Sequence, residues 1–198
     1  MKASFIRRMA AYIIDFFIVI IVSSIVSVPF SASSIEYIDK QDQILKDLSE
    51  SKITVDEFLD SYADVVYGMD KVNLIPSLIF VIVVVLYFGP YQFKKKQTIG
   101  KKVLKIEVGG EALTMNMLLI RSLLLYNAIP IVINSIFILF VSENLYLGIY
   151  LTTTTLSTIF MIVTVLFVAI REDKKGLHDI ITKTQVVIKE WENLMNKS

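Results

Sequence analysis

Four apolar runs restrict this chain to very few folds, because each is about as long as a helix that crosses a bilayer, roughly 20 residues. They are Met9 to Phe30, Leu74 to Phe93, Ser122 to Val141 and Leu145 to Ile170. Irregular backbone cannot be satisfied in lipid, so each run is expected as a helix. With 55% apolar residues and a mean hydropathy of +0.63, the chain carries more apolar surface than a soluble domain of 198 residues can hide. The expected fold is an all-α membrane protein, one membrane domain over residues 1–198 with four transmembrane helices at about 9–30, 74–93, 122–141 and 145–170.

Orientation follows from lysine and arginine rather than from the net charge of +1. The N-terminus carries Lys2, Arg7 and Arg8, and the connection over residues 92–121 carries Lys94, Lys95, Lys96, Lys101, Lys102, Lys105 and Arg121. The tail over residues 171–198 carries six more basic residues, so all three segments are expected on the cytoplasmic side. The segment over residues 31–71 has ten acidic residues against four lysines and is expected outside, as is the short link at Ser142, Glu143 and Asn144. A cleavable signal peptide is the competing reading of the N-terminus, but its apolar run is too long and contains Asp15. The lysines of the connection, Lys94, Lys95, Lys96, Lys101 and Lys102, are expected to attract anionic lipid headgroups, at about 1 kcal/mol per charge near the surface.

The outer segment reads as two short helices. Ser33 with Glu36, and Thr54 with Glu57, match the capping box that starts a helix. In the second helix Val55, Phe58, Leu59, Tyr62 and Val66 recur at helical spacing, and can pack on a first helix carrying Ile38, Leu45 and Leu48. On the cytoplasmic side Val103, Leu104, Ile106 and Val108 run into Gly109 and Gly110, a pair favoured in two-residue turns, which predicts a small β-hairpin. The β-branched run Thr184 to Ile188 could join it in a sheet.

Polar residues inside the apolar runs are the candidate site. Asp15 stands about 9 Å into the hydrocarbon if its helix starts at Met9, and an ionisable group at that depth is expensive and functional by default. Arg8 lies seven residues earlier on the same face, but side chains tilt toward the helix N-terminus and arginine snorkels outward, so a direct pair is strained. Asp15 is expected to meet Arg121 or a water instead. Asn127 and Asn134 are seven apart with Pro130 between them, and Thr152, Thr155, Thr158, Ser23 and Ser27 offer further polar atoms between helices. Asp179 is expected to anchor the tail near Arg8 or Arg121.

Several chemistries are disfavoured. There is no cysteine, hence no disulfide, and the single His178 cannot complete a zinc ligand set. His178 beside Asp179 is not a nucleophile, base and orienter array, and Gly100–Lys101 lacks the earlier glycine of a phosphate loop. The chain is expected not to be an enzyme, to need no cofactor and to bind no nucleic acid. Its expected partners are the bilayer and a second copy or another membrane protein.

The runs RRMAAYIID (residues 7–15), QTIGKKVLKIEV (97–108) and GLHDIITKTQVV (176–187), with Arg121, resemble the RDD family of bacterial membrane proteins. The resemblance implies that Arg8, Asp15 and Asp179 are the arginine and aspartates for which that family is named. It implies a bacterial cytoplasmic membrane. Because a member has been linked to sodium/proton exchange, it also implies proton-linked transport of a monovalent cation, for which the polar residues Asp15, Arg8, Asp179, Arg121, Asn127 and Asn134 are the expected ion- or proton-binding set. The alternative is a non-transporting accessory or scaffold protein in which the Arg and Asp residues form a structural ion pair. Lys96 ahead of Gln97 and the long outer segment depart from the usual pattern.

Overall fold

The computed structural model describes residues 1–30, 34–109 and 113–189. Helix α1 (Phe5–Ser27) starts at the N-cap Ser4, whose hydroxyl accepts from the Arg7 amide, and ends in a 3₁₀ turn at Val28–Phe30. It therefore begins four residues before Met9, which puts Arg8 inside the helix. Its buried residues, Arg8, Ala11, Asp15, Val19, Ser23 and Ser27, recur every three or four positions and form one face.

Helices α2 (Ile35–Ser49) and α3 (Val55–Val72) occupy the acidic segment and pack on each other. Thr54 and Glu57 make the expected capping box, with Thr54 N donating to Glu57 Oε2 at 2.8 Å. Helix α2 instead starts at Ser34 without a side-chain cap, and Ser33 lies outside the described residues. The stripe on α3 is only partly inward. Val55 and Leu59 are exposed, whereas Ala63 and Val66 join Tyr146 and Leu147 in a core.

The second apolar run is α4 (Leu74–Leu86), a π turn at Tyr87–Tyr91 around Pro90, and α5 (Gln92–Lys95). Proline lacks the amide that would continue the ladder, which accounts for the widened turn. After α6 (Ile99–Val103) comes β1 (Ile106–Gly109). The third run differs from the straight helix expected over 122–141: α7 (Met115–Leu125) and α8 (Ala128–Phe137) meet at 76°. The break falls at Asn127, in the left-handed region at φ 56°, which asparagine tolerates better than most residues. Pro130 does not cause it, since it sits in the first turn of α8, where an amide proton has no intrahelical partner. Helix α9 (Glu143–Ile170) is continuous, and α10 (Leu177–Ile181) leads to β2 (Gln185–Ile188). Three helical stretches, Phe5–Phe30, Leu74–Lys95 and Glu143–Ile170, are long and apolar enough to span a membrane. The bent α7–α8 pair makes a fourth if taken as one span.

Among the described residues β1 forms no local hairpin and pairs instead with the tail run expected to join its sheet. Strand β1 runs antiparallel to β2, with Ile106 opposite Ile188 and Gly109 opposite Gln185. Val103 belongs to α6, so the apparent alternation from Val103 joined the end of a helix to a strand. Gly109 pairs within the sheet, and Gly110 lies outside the described residues. The N-terminus flanks the other edge of β2, where Ala3 N donates to Val186 O at 3.1 Å and Ile188 N to Met1 O at 2.9 Å. This sheet and the starts of α1 and α7 share a core of Ala3, Ala11, Ile106, Val108, Leu118 and Val186.

Candidate functional site

The start of α1, the end of α9 and the segments α5, α6, α7 and α10 gather at one end of the bundle and bring together charged residues far apart in sequence. Asp179 is at their centre, fully buried. It accepts from Arg8 Nη2, from Arg121 Nε at 2.9 Å and from the Gly176 amide at 3.2 Å, while its own carbonyl accepts from Thr184 N at 2.9 Å. Arg8 also donates to the Lys174 carbonyl. One carboxylate thus ties α1 and α7 to the segment between α9 and β2. Burial alone would raise the Asp179 pKa, but Arg121, His178 and Arg8 outweigh it and hold this carboxyl well below the usual carboxylate range. Burial lowers the His178 pKa to about 4, helped by the charge of Arg121, so the imidazole is neutral near pH 7.

Asp15 has separate partners. Its Oδ1 accepts from the Tyr87 hydroxyl at 2.7 Å and the Gly100 amide at 2.8 Å, and its Oδ2 accepts from the Thr98 hydroxyl at 2.5 Å. The sequence around Gln97 explains why. Thr98 is the N-cap of α6, with Oγ1 accepting from Lys101 N at 3.3 Å, and Tyr87 accepts from Ile99 N at 2.9 Å. A Cβ at Gly100 would strike the Ala11 carbonyl and come 2.9 Å from Asp15 Cγ, so glycine is what lets α6 press against α1. Gln97 donates from Nε2 to Ile106 O at 2.9 Å and accepts from Lys189 Nζ at 3.1 Å, which fixes α6 to the sheet. Of the two partners expected for Asp15, Arg121 or a water, Arg121 is not one, because both arginines are directed to Asp179. Asp179, expected near Arg8 or Arg121, meets both.

A cavity of about 100 Å³ adjoins both carboxylate sites, with Arg8, Asp15, Gln92, Lys101, Arg121 and His178 among its lining residues. Lys101 is buried, unlike the exposed Lys94, Lys95, Lys96 and Lys102 with which it was grouped from sequence. Burial, reinforced by Arg121, lowers its pKa to about 7. Gln92 Nε2, Thr164 Oγ1 and His178 Nδ1 are buried without a hydrogen-bond partner, and all three residues line this cavity. Each such atom costs about 1–3 kcal/mol unless something satisfies it.

Asn127 and Asn134 are elsewhere. Asn127 Oδ1 accepts from Ser157 and Asn134 Oδ1 from Thr153 at 2.9 Å, which ties α8 to α9. Both line a second cavity of about 260 Å³ with Asp70, which accepts from the Tyr146 hydroxyl at 2.5 Å. Thr152 and Thr158 turn back on their own helix, donating to Gly148 O and Thr154 O at 2.8 Å, as do Ser23 and Ser27 on α1. Sequence reasoning missed Tyr87, Thr98, Gln92, Thr164 and Asp70. Only Thr98 had a local signal, as a threonine at a helix start three residues before Lys101.

Apolar helices of spanning length that close over a buried charged cluster define an integral membrane protein. The family model described as the RDD family matches residues 2–183, which include Arg8, Asp15, Arg121 and Asp179, and the chain belongs to that family. Neither the curated proteins nor the solved structures contain a match.

Proposed function

We propose that this chain is a non-transporting membrane accessory module, in which Asp15 and Asp179 are fixed acceptors that clamp the loops at one end of the bundle to its helices. The supporting observation is that three protein donors occupy the Asp15 carboxylate while two arginines hold Asp179. An ion-exchanging carboxylate needs room for the ion, and three cationic side chains around this cavity oppose a second cation. The second reading, proton-linked transport of a monovalent cation, draws support from the cavity that unites Asn127 and Asn134 with Asp70. Transport requires that cation and proton displace one another reciprocally. Vesicles reconstituted with the protein and a pH dye should therefore show no more proton flux after a sodium pulse than empty vesicles. A sodium-dependent flux that Asp15→Asn abolishes would reverse the choice.

The lysine and arginine distribution supports a bacterial cytoplasmic membrane with both termini and the segment from Lys94 to Lys102 on the cytoplasmic side, near anionic headgroups, and the acidic α2–α3 pair outside as a partner surface. In intact cells an impermeant thiol reagent should label Asp47→Cys and spare Lys95→Cys. The opposite pattern would invert the topology.

A further inference from the structure

The cavity beside Asp15 has a charge imbalance that the two carboxylates do not remove. Asp179 serves Arg8 and Arg121, and Asp15 is engaged by neutral donors, whereas Lys101 meets no carboxylate within ion-pair distance among the described residues. Its ammonium donates to Gln92 Oε1 at 3.3 Å and lies 5.5 Å from the centroid of the Phe88 ring. That contact fixes the amide of Gln92, because the opposite flip would set two donors against each other, and so leaves Nε2 as a donor without an acceptor. The Thr164 hydroxyl is a second unpartnered group, and His178 Nδ1 a third, able to donate or accept according to its tautomer. Gln92, Thr164 and His178 are each more than nine-tenths buried, and they reach the same cavity from α5, α9 and α10.

We propose that this cavity binds a phosphate-class anion, with Lys101 as its charge partner and Gln92, Thr164 and His178 as its hydrogen-bonding contacts. At about 100 Å³ the cavity exceeds severalfold the 10–15 Å³ or so that one water needs. An anion there would satisfy the donors together and would restore the charged form of Lys101, whose pKa burial lowers to about 7. Two sources carry this chemistry: the headgroup of an anionic phospholipid, and free inorganic phosphate. The partly exposed apolar side chains Phe5 and Met9 of α1 and Met161 and Val165 of α9 form one wall, which suits an acyl chain entering from the bilayer side. This inference goes beyond the accessory reading and does not depend on the absence of transport.

The full-length protein in neutral detergent, at constant ionic strength, is titrated with phosphatidylglycerol, phosphatidylcholine or sodium phosphate while its thermal unfolding is followed. Phosphatidylglycerol should raise the Tm well beyond the effect of phosphatidylcholine. Lys101→Met should weaken that response on the order of tenfold, as expected for loss of a charge-assisted contact. Lys95→Gln, on the exposed lysine cluster, should weaken it much less, because a solvent-exposed charge is screened. Because Lys101→Met removes a buried charge, it should fold without the anion; if it does not, Gln92→Leu provides the same comparison with a smaller loss. Stabilisation by phosphatidylglycerol alone assigns a lipid headgroup, and stabilisation by sodium phosphate as well, or alone, assigns a free anion. Equal responses of wild type and the cavity variants, equal losses in Lys95→Gln and Lys101→Met, or no response to either anionic probe would overturn the proposal.

Discussion

The two ends of the bundle bury polar groups in different ways. At one end, donors from α1, the π turn, α6 and its cap, α7 and the cap of α10 converge on Asp15 and Asp179, neutral ones on the first and two arginines with a backbone amide on the second. At the other, Asp70 meets one tyrosine hydroxyl, and Asn127 and Asn134 meet one hydroxyl each. The first arrangement is a clamp whose members cannot be removed singly, because a buried charge without its partner is worse than an apolar replacement. The second consists of single hydrogen bonds between helices, each worth about 1 kcal/mol. The bend at Asn127 marks the border of the second region, and the two cavities share no lining residue.

The largest effect that separates the ends is therefore expected from Asp179→Asn, which strands two buried arginines and should cost about 3–5 kcal/mol in detergent unfolding. Asp70→Asn should cost about 1 kcal/mol or less, because burial already raises the pKa of this half-buried carboxyl toward its neutral form. Comparable losses at the two sites would erase the distinction.

Acid should weaken the clamp next. His178 titrates at about 4 in the folded protein, below its ordinary 6.5, so the unfolded chain binds more protons between these values and stability falls as pH drops through them. The loss at full titration is on the order of 3 kcal/mol. Asp179, also depressed, adds a further loss below its ordinary 3.8. In His178→Gln the loss between pH 6.5 and pH 4 should largely vanish. An unchanged profile would remove His178 from the account.

How much of this was legible in the sequence follows the range of the interactions. Membrane helices are local patterns, so α1, α4 and α9 stood out, and the Thr54–Glu57 capping box named the start of α3. The strand at Gln185–Ile188 was visible as a β-branched run able to join the segment around Ile106 and Val108 in a sheet, but the glycine pair after that segment also suggested a local turn, whereas the paired residues stand 76 apart at Gly109 and Gln185 and 82 apart at Ile106 and Ile188. Asp15 and Arg8 were recognisable by depth, yet their partners are set by tertiary packing. Tyr87 and Thr98 stand 72 and 83 residues from Asp15, and Asp179 is 171 from Arg8. Helical spacing placed Arg8 and Asp15 on one face, where the two side chains take separate partners. Spacing along α1 alone could not place the second carboxylate, Asp179 of α10, between both arginines, although its position in the tail put it near one of them. Asn127 likewise read as a polar residue within a span, because a left-handed backbone has no periodic signature.

The central claim is that the arginines serve Asp179 and that Asp15 is held independently of them. Double-mutant cycles on unfolding free energy test it most directly, with Arg8→Gln combined in turn with Asp179→Asn and with Asp15→Asn. Contacting residues couple by about 0.5–3 kcal/mol and independent ones add to within about 0.5 kcal/mol. The geometry predicts a coupling above about 1 kcal/mol for Arg8 with Asp179 and near-additivity for Arg8 with Asp15. Strong coupling between Arg8 and Asp15, with additive losses for Arg8 and Asp179, would contradict it.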